Sequence, residues 1–94
     1  MLFMVVERFM HGDPAPVYRR FREQGRLAPS DLIYVNSWVS ADLTTCWQVM
    51  EAPDRSRLDQ WIAAWADLVD FDVIPVVTSA DAAARAGASR DGTP

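Results

Sequence analysis

Apolar positions along residues 1–79 predict four strands. Both faces of MLFMVVERF are apolar up to Glu7, which is typical of a strand covered on both sides. The segments Leu32–Val39 and Thr44–Glu51 are rich in β-branched and aromatic residues, and SADL forms the turn between them. A last strand spans Phe71–Val77, where Pro75 cannot donate a sheet hydrogen bond and therefore indicates an edge strand or a bulge.

Two helices are predicted between these strands. The first begins at Asp13 and Pro14, because the carboxylate can cap free backbone N–H groups and proline suits the first helical position, and Gly25 ends it or weakens its last turn. The second begins at Pro53 and Asp54, and its apolar residues follow the three-and-four spacing of one buried stripe, formed by Leu58, Trp61, Ile62, Trp65, Leu68 and Val69. We therefore interpret the two tryptophans of this helix as core residues that pack on the sheet.

The order strand, helix, strand, strand, helix, strand defines the expected fold. Two split βαβ units give the ferredoxin-like α+β arrangement, a four-stranded antiparallel sheet with both helices on one face. Because the strands are apolar on both faces, we expect a second sheet to face the uncovered side across a two-fold axis, so that the two sheets enclose a pocket. Residues 80–94 turn to Ala, Gly, Ser, Asp and Arg, which predicts a flexible tail after domain 1–79, with a weak helix over Ala80–Ala86 and disorder from Gly87.

The composition narrows the possible partners. Half of the residues are hydrophobic and four are Trp, more than a small monomer easily hides, so we expect a homodimer. The net charge of -4 and the interspersed arginines argue against nucleic acid. The chain has no Lys, which excludes lysine Schiff-base chemistry. The N-terminal apolar run is too short for a membrane span and lacks the form of a signal peptide. A single cysteine, Cys46, suits a cytoplasmic location.

The central hairpin carries the best candidates for a small-molecule site. Tyr34, Asn36 and Trp38 share one strand face at period-two spacing, where aromatic area and polar atoms could line a pocket or pack in a dimer interface. Gln48 could bond a ligand or a neighbouring strand. The turn length leaves the register open: an even number of turn residues places the tryptophan of the first strand beside Thr45, Trp47 and Val49, and an odd number places it beside Cys46, Gln48 and Met50.

Other candidates lie outside the hairpin. His11 is the only histidine and could exchange protons near neutral pH, although a solvated or capping role is the plainer interpretation. Arg8 and Arg22 could fork onto a carboxylate or form surface ion pairs, and Tyr18 could lie in the core or at a pocket mouth. We interpret Cys46 as a small buried hydrophobe and Glu51 as an exposed strand end. With one His, one Cys and scattered acids, we expect no metal site and no cofactor.

The segments MLFMVVERF, VYRRFREQGRLAP, YVNSWV, CWQVME, WIAAWADL and FDVIPVV together resemble a family of short proteins, domain-of-unknown-function family 3303, over about residues 1–80. That family is similar to the dimeric α/β-barrel superfamily, which includes cofactor-free monooxygenases, muconolactone-type isomerases, polyketide cyclases, dechlorinating enzymes and haem-degrading enzymes. The haem-degrading members use Asn, Trp and His, which are present here as Asn36, Trp38 and His11. This chain lacks a helical histidine facing the sheet, so the resemblance does not imply haem binding.

The leading hypothesis is a cytoplasmic homodimer that binds or converts a hydrophobic or aromatic small molecule, as a cofactor-free isomerase, cyclase or monooxygenase. In that scheme His11 or Tyr34 moves protons, and Asn36 and Gln48 hold an oxyanion. The substrate is sandwiched by Trp38 and Trp47. The alternative hypothesis is a non-catalytic dimerisation or ligand-sensing module.

Overall fold

The computed structural model describes residues 1–87 of the 94-residue chain. A one-turn 3-10 helix, Met10–Gly12, comes directly after the first strand. The strands and helices, in chain order, are β1 (Leu2–Phe9), α1 (Ala15–Gln24), β2 (Ile33–Val39), β3 (Thr45–Glu51), α2 (Arg55–Trp65), β4 (Val69–Val76) and α3 (Ser79–Arg85). Most of the predicted disordered segment, residues 88–94, lies outside the described part of the chain.

The four strands form one antiparallel sheet in the order β2-β3-β1-β4. The predicted α+β class and the four-stranded antiparallel sheet are therefore confirmed. Strand β4 lies at an edge, as Pro75 indicated, because an edge strand can accept a residue without an N–H donor. Helix α3 occupies the segment that composition marked as a weak helix, and none of its residues is buried.

Local capping explains where the first two helices begin and where α1 ends. The Asp13 carboxylate accepts a hydrogen bond from the Ala15 N–H at 3.0 Å, and the Asp54 carboxylate accepts from the Ser56 and Arg57 N–H groups at 2.9 and 3.3 Å. Gly25 ends α1 at φ 73°, a left-handed conformation that a residue without Cβ adopts at little cost.

The sequence pattern extended α2 too far. The predicted apolar stripe included Leu68 and Val69, but α2 ends at Trp65, and Val69 is the first residue of β4. Val69 is buried in a small cluster with Phe9 and Cys46. The prediction was wrong because buried positions of a helix end and of a following strand are both apolar, so spacing alone does not separate them.

The core lies between the sheet and the two longer helices. Alternate residues of β1 and β3 point toward these helices, and we call this side the helix-covered face; it carries Phe3, Val5, Glu7, Phe9, Cys46, Gln48 and Met50. Trp61 and Trp65 of α2 pack into this core at 3% and 5% exposure, which confirms their interpretation as core residues. The opposite side, which we call the open face, carries Leu2, Met4, Val6, Arg8, Trp47, Val49, Ile74 and Val76.

Strand pairing resolves the register of the central hairpin. Trp38 lies opposite Trp47, so both side chains project from the open face, the arrangement expected for an even turn. A β-bulge lies between Tyr34 and Asn36, because Tyr34 pairs with Met50 while Asn36 pairs with the next residue, Val49. The extra residue reverses the alternation and turns Tyr34 to the helix-covered face. The prediction that Tyr34, Asn36 and Trp38 share one face was therefore wrong.

Leu58 of α2 offers a test of this core. Its side chain is 0% exposed, so Leu58→Ala should lower the free energy of unfolding by roughly 2 to 5 kcal/mol through lost burial and a residual cavity. Leu43, in the hairpin turn, is 52% exposed, and Leu43→Ala should cost less than about 0.5 kcal/mol. Urea unfolding at one fixed protein concentration measures both. Equal losses in the two variants would contradict the described packing.

Candidate functional site

A cavity of about 220 Å³ lies between the helix-covered face and the two longer helices. It is mostly apolar, with a few polar groups that converge on it, the usual composition of a small-molecule site. Its walls come from β1, α1, the loop before β2, the central hairpin and α2: Glu7, Phe9, Val17, Tyr18, Phe21, Arg26, Ser37, Val39, Cys46, Gln48, Trp61 and Trp65.

Glu7 is the most unusual residue of this cavity. It comes after Phe3 and Val5 in the inward alternation of β1, so its carboxyl group is held in the interior at 7% exposure. The Oε2 atom has no hydrogen-bond partner among the described residues. Burial raises the pKa of Glu7 from 4.5 to about 7, and the Cys46 thiol and the positive charge of Arg26 offset only part of this effect. Glu7 can therefore both accept and donate a proton near neutral pH.

Cys46 lies directly opposite Glu7 on β3. Burial, and then the neighbouring Glu7 carboxylate, raise the pKa of the Cys46 thiol to about 12. The thiol is therefore protonated at neutral pH, and a thiol in this state is a poor nucleophile. In this cavity it contributes a small, weakly polar wall beside the carboxyl group of Glu7.

Arg26 organises another part of the cavity wall through both its main chain and its side chain. Its carbonyl oxygen accepts hydrogen bonds from the indole N–H groups of Trp61 and Trp65 at 3.1 and 2.9 Å. Its guanidinium carbon lies 4.1 Å from the centroid of the Tyr34 ring and 5.4 Å from that of Phe21. The Nη1 atom donates to Gln48 Oε1 at 3.1 Å. One loop residue thus orients two tryptophans and places a cation at the cavity.

The residues predicted as catalytic do not meet in one place. His11 is exposed in the 3-10 helix with φ 58° and does not line the cavity. Asn36 projects from the open face, and its side chain accepts a hydrogen bond from the Ser37 N–H. Tyr34 lies on the other face, where its hydroxyl bonds the Ser37 hydroxyl at 2.7 Å and its ring supports Arg26.

The residues predicted to bind a ligand divide between the two faces. Gln48 and Tyr18 line the cavity, whereas Trp38 and Trp47 lie on the open face. Arg22 is exposed on α1 and is absent from the cavity wall. Arg8, the other arginine considered for a carboxylate, forms an exposed ion pair with Asp72 at 2.6 Å.

Glu7 and Arg26 are the two charged residues that line the cavity, and sequence reasoning selected neither of them. A signal for Glu7 existed, because it occupies the same alternate positions as Phe3, Val5 and Phe9 in an apolar strand. A charged residue at such a position is costly to bury, so it is a candidate for a functional role. Arg26 has no comparable signal, since it lies in a loop whose path depends on tertiary contacts.

The fold and the cavity define the class of this protein: a small α+β protein with a pocket between a four-stranded antiparallel sheet and its helices. The chain belongs to the family described as Domain of unknown function (DUF3303), whose model matches residues 1–90. No curated protein and no solved structure matches the chain. Within residues 1–87, no three or more His, Cys, Asp and Glu side chains converge as metal ligands, and no helix has the length and apolar character to cross a membrane.

The raised pKa of Glu7 predicts a specific pH dependence of stability. Between pH 4.5 and about 7 the unfolded chain releases the Glu7 proton while the folded chain keeps it. The free energy of unfolding therefore falls as the pH rises through this window. The shift corresponds to roughly 3 kcal/mol. Glu7→Gln cannot ionise and should lack this loss, so the variant gains stability relative to the wild type between pH 5 and pH 8.

Urea unfolding of the wild type and Glu7→Gln at both pH values, at one protein concentration, checks this prediction. Glu23→Gln, an exposed change of the same kind on α1, is the matched control and should behave like the wild type. A constant difference between the wild type and Glu7→Gln across the pH range would show that Glu7 is not a buried titrating group.

Proposed function

We propose that this protein binds a small apolar molecule in the cavity between sheet and helices, and that Glu7 exchanges a proton with it. The observation that carries the proposal is the buried Oε2 atom of Glu7, which faces a cavity and has no partner within the described residues. A buried polar atom without a partner costs free energy, so its retention calls for a role. A ligand that bonds this oxygen provides one.

The surrounding groups suit cofactor-free proton-transfer chemistry. A carboxyl group with a pKa of about 7 can donate its proton to one atom of a bound molecule and remove a proton from another. Gln48 accepts from Arg26 through Oε1, which leaves its amide nitrogen to donate toward a developing oxyanion, and the Arg26 cation reinforces that stabilisation. Acid–base steps of this kind occur in proton-transferring isomerases, in cyclases and in cofactor-free monooxygenases. In this scheme Glu7 takes the proton-transfer role that sequence reasoning gave to His11 or Tyr34.

We also infer that the protein has the ferredoxin-like topology and forms a homodimer through the open face, as in dimeric α/β barrels. The strand order and the packing of α1 and α2 on one face support this topology. Large apolar side chains remain exposed on the open face, and exposed apolar clusters of this kind mark interaction surfaces; they are Ile33, Trp38, Trp47 and Ile74. A second copy supplies an equally apolar sheet, so a two-fold pairing covers both.

The state of the single cysteine supports a proposal about location. Cys46 is a free, buried thiol, and a protein with one unpaired cysteine suits a reducing compartment. We therefore propose a cytoplasmic location.

Light scattering tests the homodimer. The wild-type chain should scatter with twice the mass of one chain, and Trp38→Glu should be monomeric because it buries an unpaired charge in the proposed interface. Leu43→Glu is the matched control, since Leu43 is 52% exposed in the turn and Trp38 is 55% exposed on the open face. A monomeric wild type, or a dimer unaffected by Trp38→Glu, would contradict the open-face dimer.

NMR can locate the site of ligand binding, because two of the four tryptophans lie on each face of the sheet. A panel of small aromatic phenols and ketones should shift the indole N–H signals of Trp61 and Trp65 and leave those of Trp38 and Trp47 unchanged. Each signal is assigned with a Trp→Phe variant.

A cavity-filling substitution completes this test. Val17→Phe should abolish the shifts by occupying the cavity, whereas Val77→Phe, an exposed control with the same change in side chain, should preserve them. Shifts confined to the open-face tryptophans would refute the proposed pocket. Binding without any chemical change of the panel compounds would favour the ligand-sensing alternative over an enzyme.

A further inference from the structure

Arg26 differs from the other half-buried arginines in its lack of an anionic partner. Arg20 and Arg57 are also half-buried, and their side chains contact the carboxylates of Asp67 and Asp31 at 2.6 and 2.8 Å. Within residues 1–87 Arg26 forms no ion pair, and its side-chain acceptor is the neutral amide of Gln48. A guanidinium is always charged and carries five N–H donors, so this contact leaves most of its hydrogen-bonding capacity unused.

The cavity therefore holds two complementary groups that do not contact each other. The Arg26 cation is supported on the Tyr34 and Phe21 rings, and the Glu7 carboxyl group has an unpartnered oxygen. Both line the same cavity, whose other walls are largely aromatic or aliphatic. A group that fits between them must accept hydrogen bonds from the guanidinium and also from a protonated carboxyl group.

We propose that the ligand is an apolar molecule bearing a carboxylate, which accepts hydrogen bonds from the Arg26 guanidinium and from the protonated Glu7 side chain. This inference rests on the proposed function and specifies its ligand. A carboxylate matches the fork of N–H groups on arginine and supplies the negative charge that Arg26 lacks. A neutral amide has nearly the same shape as a carboxylate but carries no charge, so it would not balance the charge of Arg26.

Charge balance adds a consequence, because the carboxylate and an ionised Glu7 would repel each other in a site of low dielectric. The ligand therefore binds the protein form in which Glu7 carries its proton. The other ionisable groups facing Glu7 are Cys46 from β3, Tyr18 from α1 and Arg26 from the loop, while β4 and α2 present Phe71, Trp61 and Trp65. The pKa values of Cys46 and Tyr18 are both raised, so neither group ionises between pH 6 and 8.

Benzoate and benzamide form a matched pair of probes for this inference. They have nearly the same size and shape, and benzoate is ionised throughout pH 6 to 8 while benzamide is neutral. Binding is measured on the wild-type protein by calorimetry and by the indole signals of Trp61 and Trp65. At pH 6 benzoate should bind at least about tenfold more tightly than benzamide, because it gains charged hydrogen bonds. Benzoate should then bind about tenfold more weakly at pH 8 than at pH 6, as the protonated fraction of Glu7 falls.

Two variants separate the contributions. Glu7→Gln should remove the pH dependence while benzoate still binds. Arg26→Gln should weaken benzoate by about tenfold or more and weaken benzamide by less, because benzoate also loses the attraction between opposite charges. This substitution retains the main-chain carbonyl that accepts hydrogen bonds from both tryptophans, so their anchoring is preserved. Calorimetry at pH 7.5 in two buffers of different ionisation enthalpy should show proton uptake with the wild type and none with Glu7→Gln.

The outcomes also distinguish this inference from the proposed function. The carboxylate inference is overturned if benzamide binds as tightly as benzoate. It is also overturned if the benzoate affinity stays constant or rises from pH 6 to pH 8. Neither result would contradict the proposed pocket. The absence of any shift of Trp61 and Trp65 with benzoate, benzamide and the neutral aromatic panel overturns both. The comparison of the two probes on the wild type needs no variant, so it remains decisive if a variant fails to fold.

Discussion

Hydrogen bonding of β1 to strands on both sides is the constraint on which the site depends. Because β3 and β4 pair with β1 along its length, a slip by one residue would send Phe3, Val5 and Phe9 to the opposite face. The apolar side chains therefore set the register, and Glu7 is carried into the interior with them. The cost of burying its carboxyl group is met by the packing of its neighbours. A functional group with unfavourable solvation can persist only where the surrounding structure determines its position so strongly.

The loop between α1 and β2 is the second determinant, and it acts through a single carbonyl oxygen. Buried indole N–H groups need acceptors, and the carbonyl of Arg26 satisfies both Trp61 and Trp65. These bonds anchor the loop to α2, and the anchored main chain then directs the Arg26 guanidinium over the Tyr34 ring. The same residue thus links helix packing to the electrostatics of the cavity. The bulge in β2 contributes, because it turns Tyr34 to the face where this ring is needed.

Periodicity and local capping were predictable from the sequence, whereas features that depend on tertiary contacts were not. The apolar run at the N-terminus identified β1, and β-branched and aromatic residues identified β2 and β3. The caps at Asp13 and Asp54 marked the helix starts. Pro75 indicated an edge strand. The bulge has no sequence signal of its own, so Tyr34 was placed on the wrong face. The position of Arg26 depends on contacts with residues 35 and 39 positions later, which no local pattern records. Glu7 was within reach of prediction, because a charged residue at an inward position of an apolar strand is informative.

The residues of the central hairpin that were expected to form one site lie on two different faces of the sheet. Trp38 and Trp47 lie on the open face, where they suit association, while Gln48 and Cys46 of the same strand pair lie toward the cavity. Because side chains alternate along β1 and β3, the proposed interface and the proposed ligand site are separated only by the thickness of one sheet. Val6 of the open face immediately precedes Glu7 of the cavity. Pairing of a second sheet against the open face would therefore restrain the strands that position Glu7 and Gln48, so dimerisation would reduce the motion of the site without contributing any atom to it.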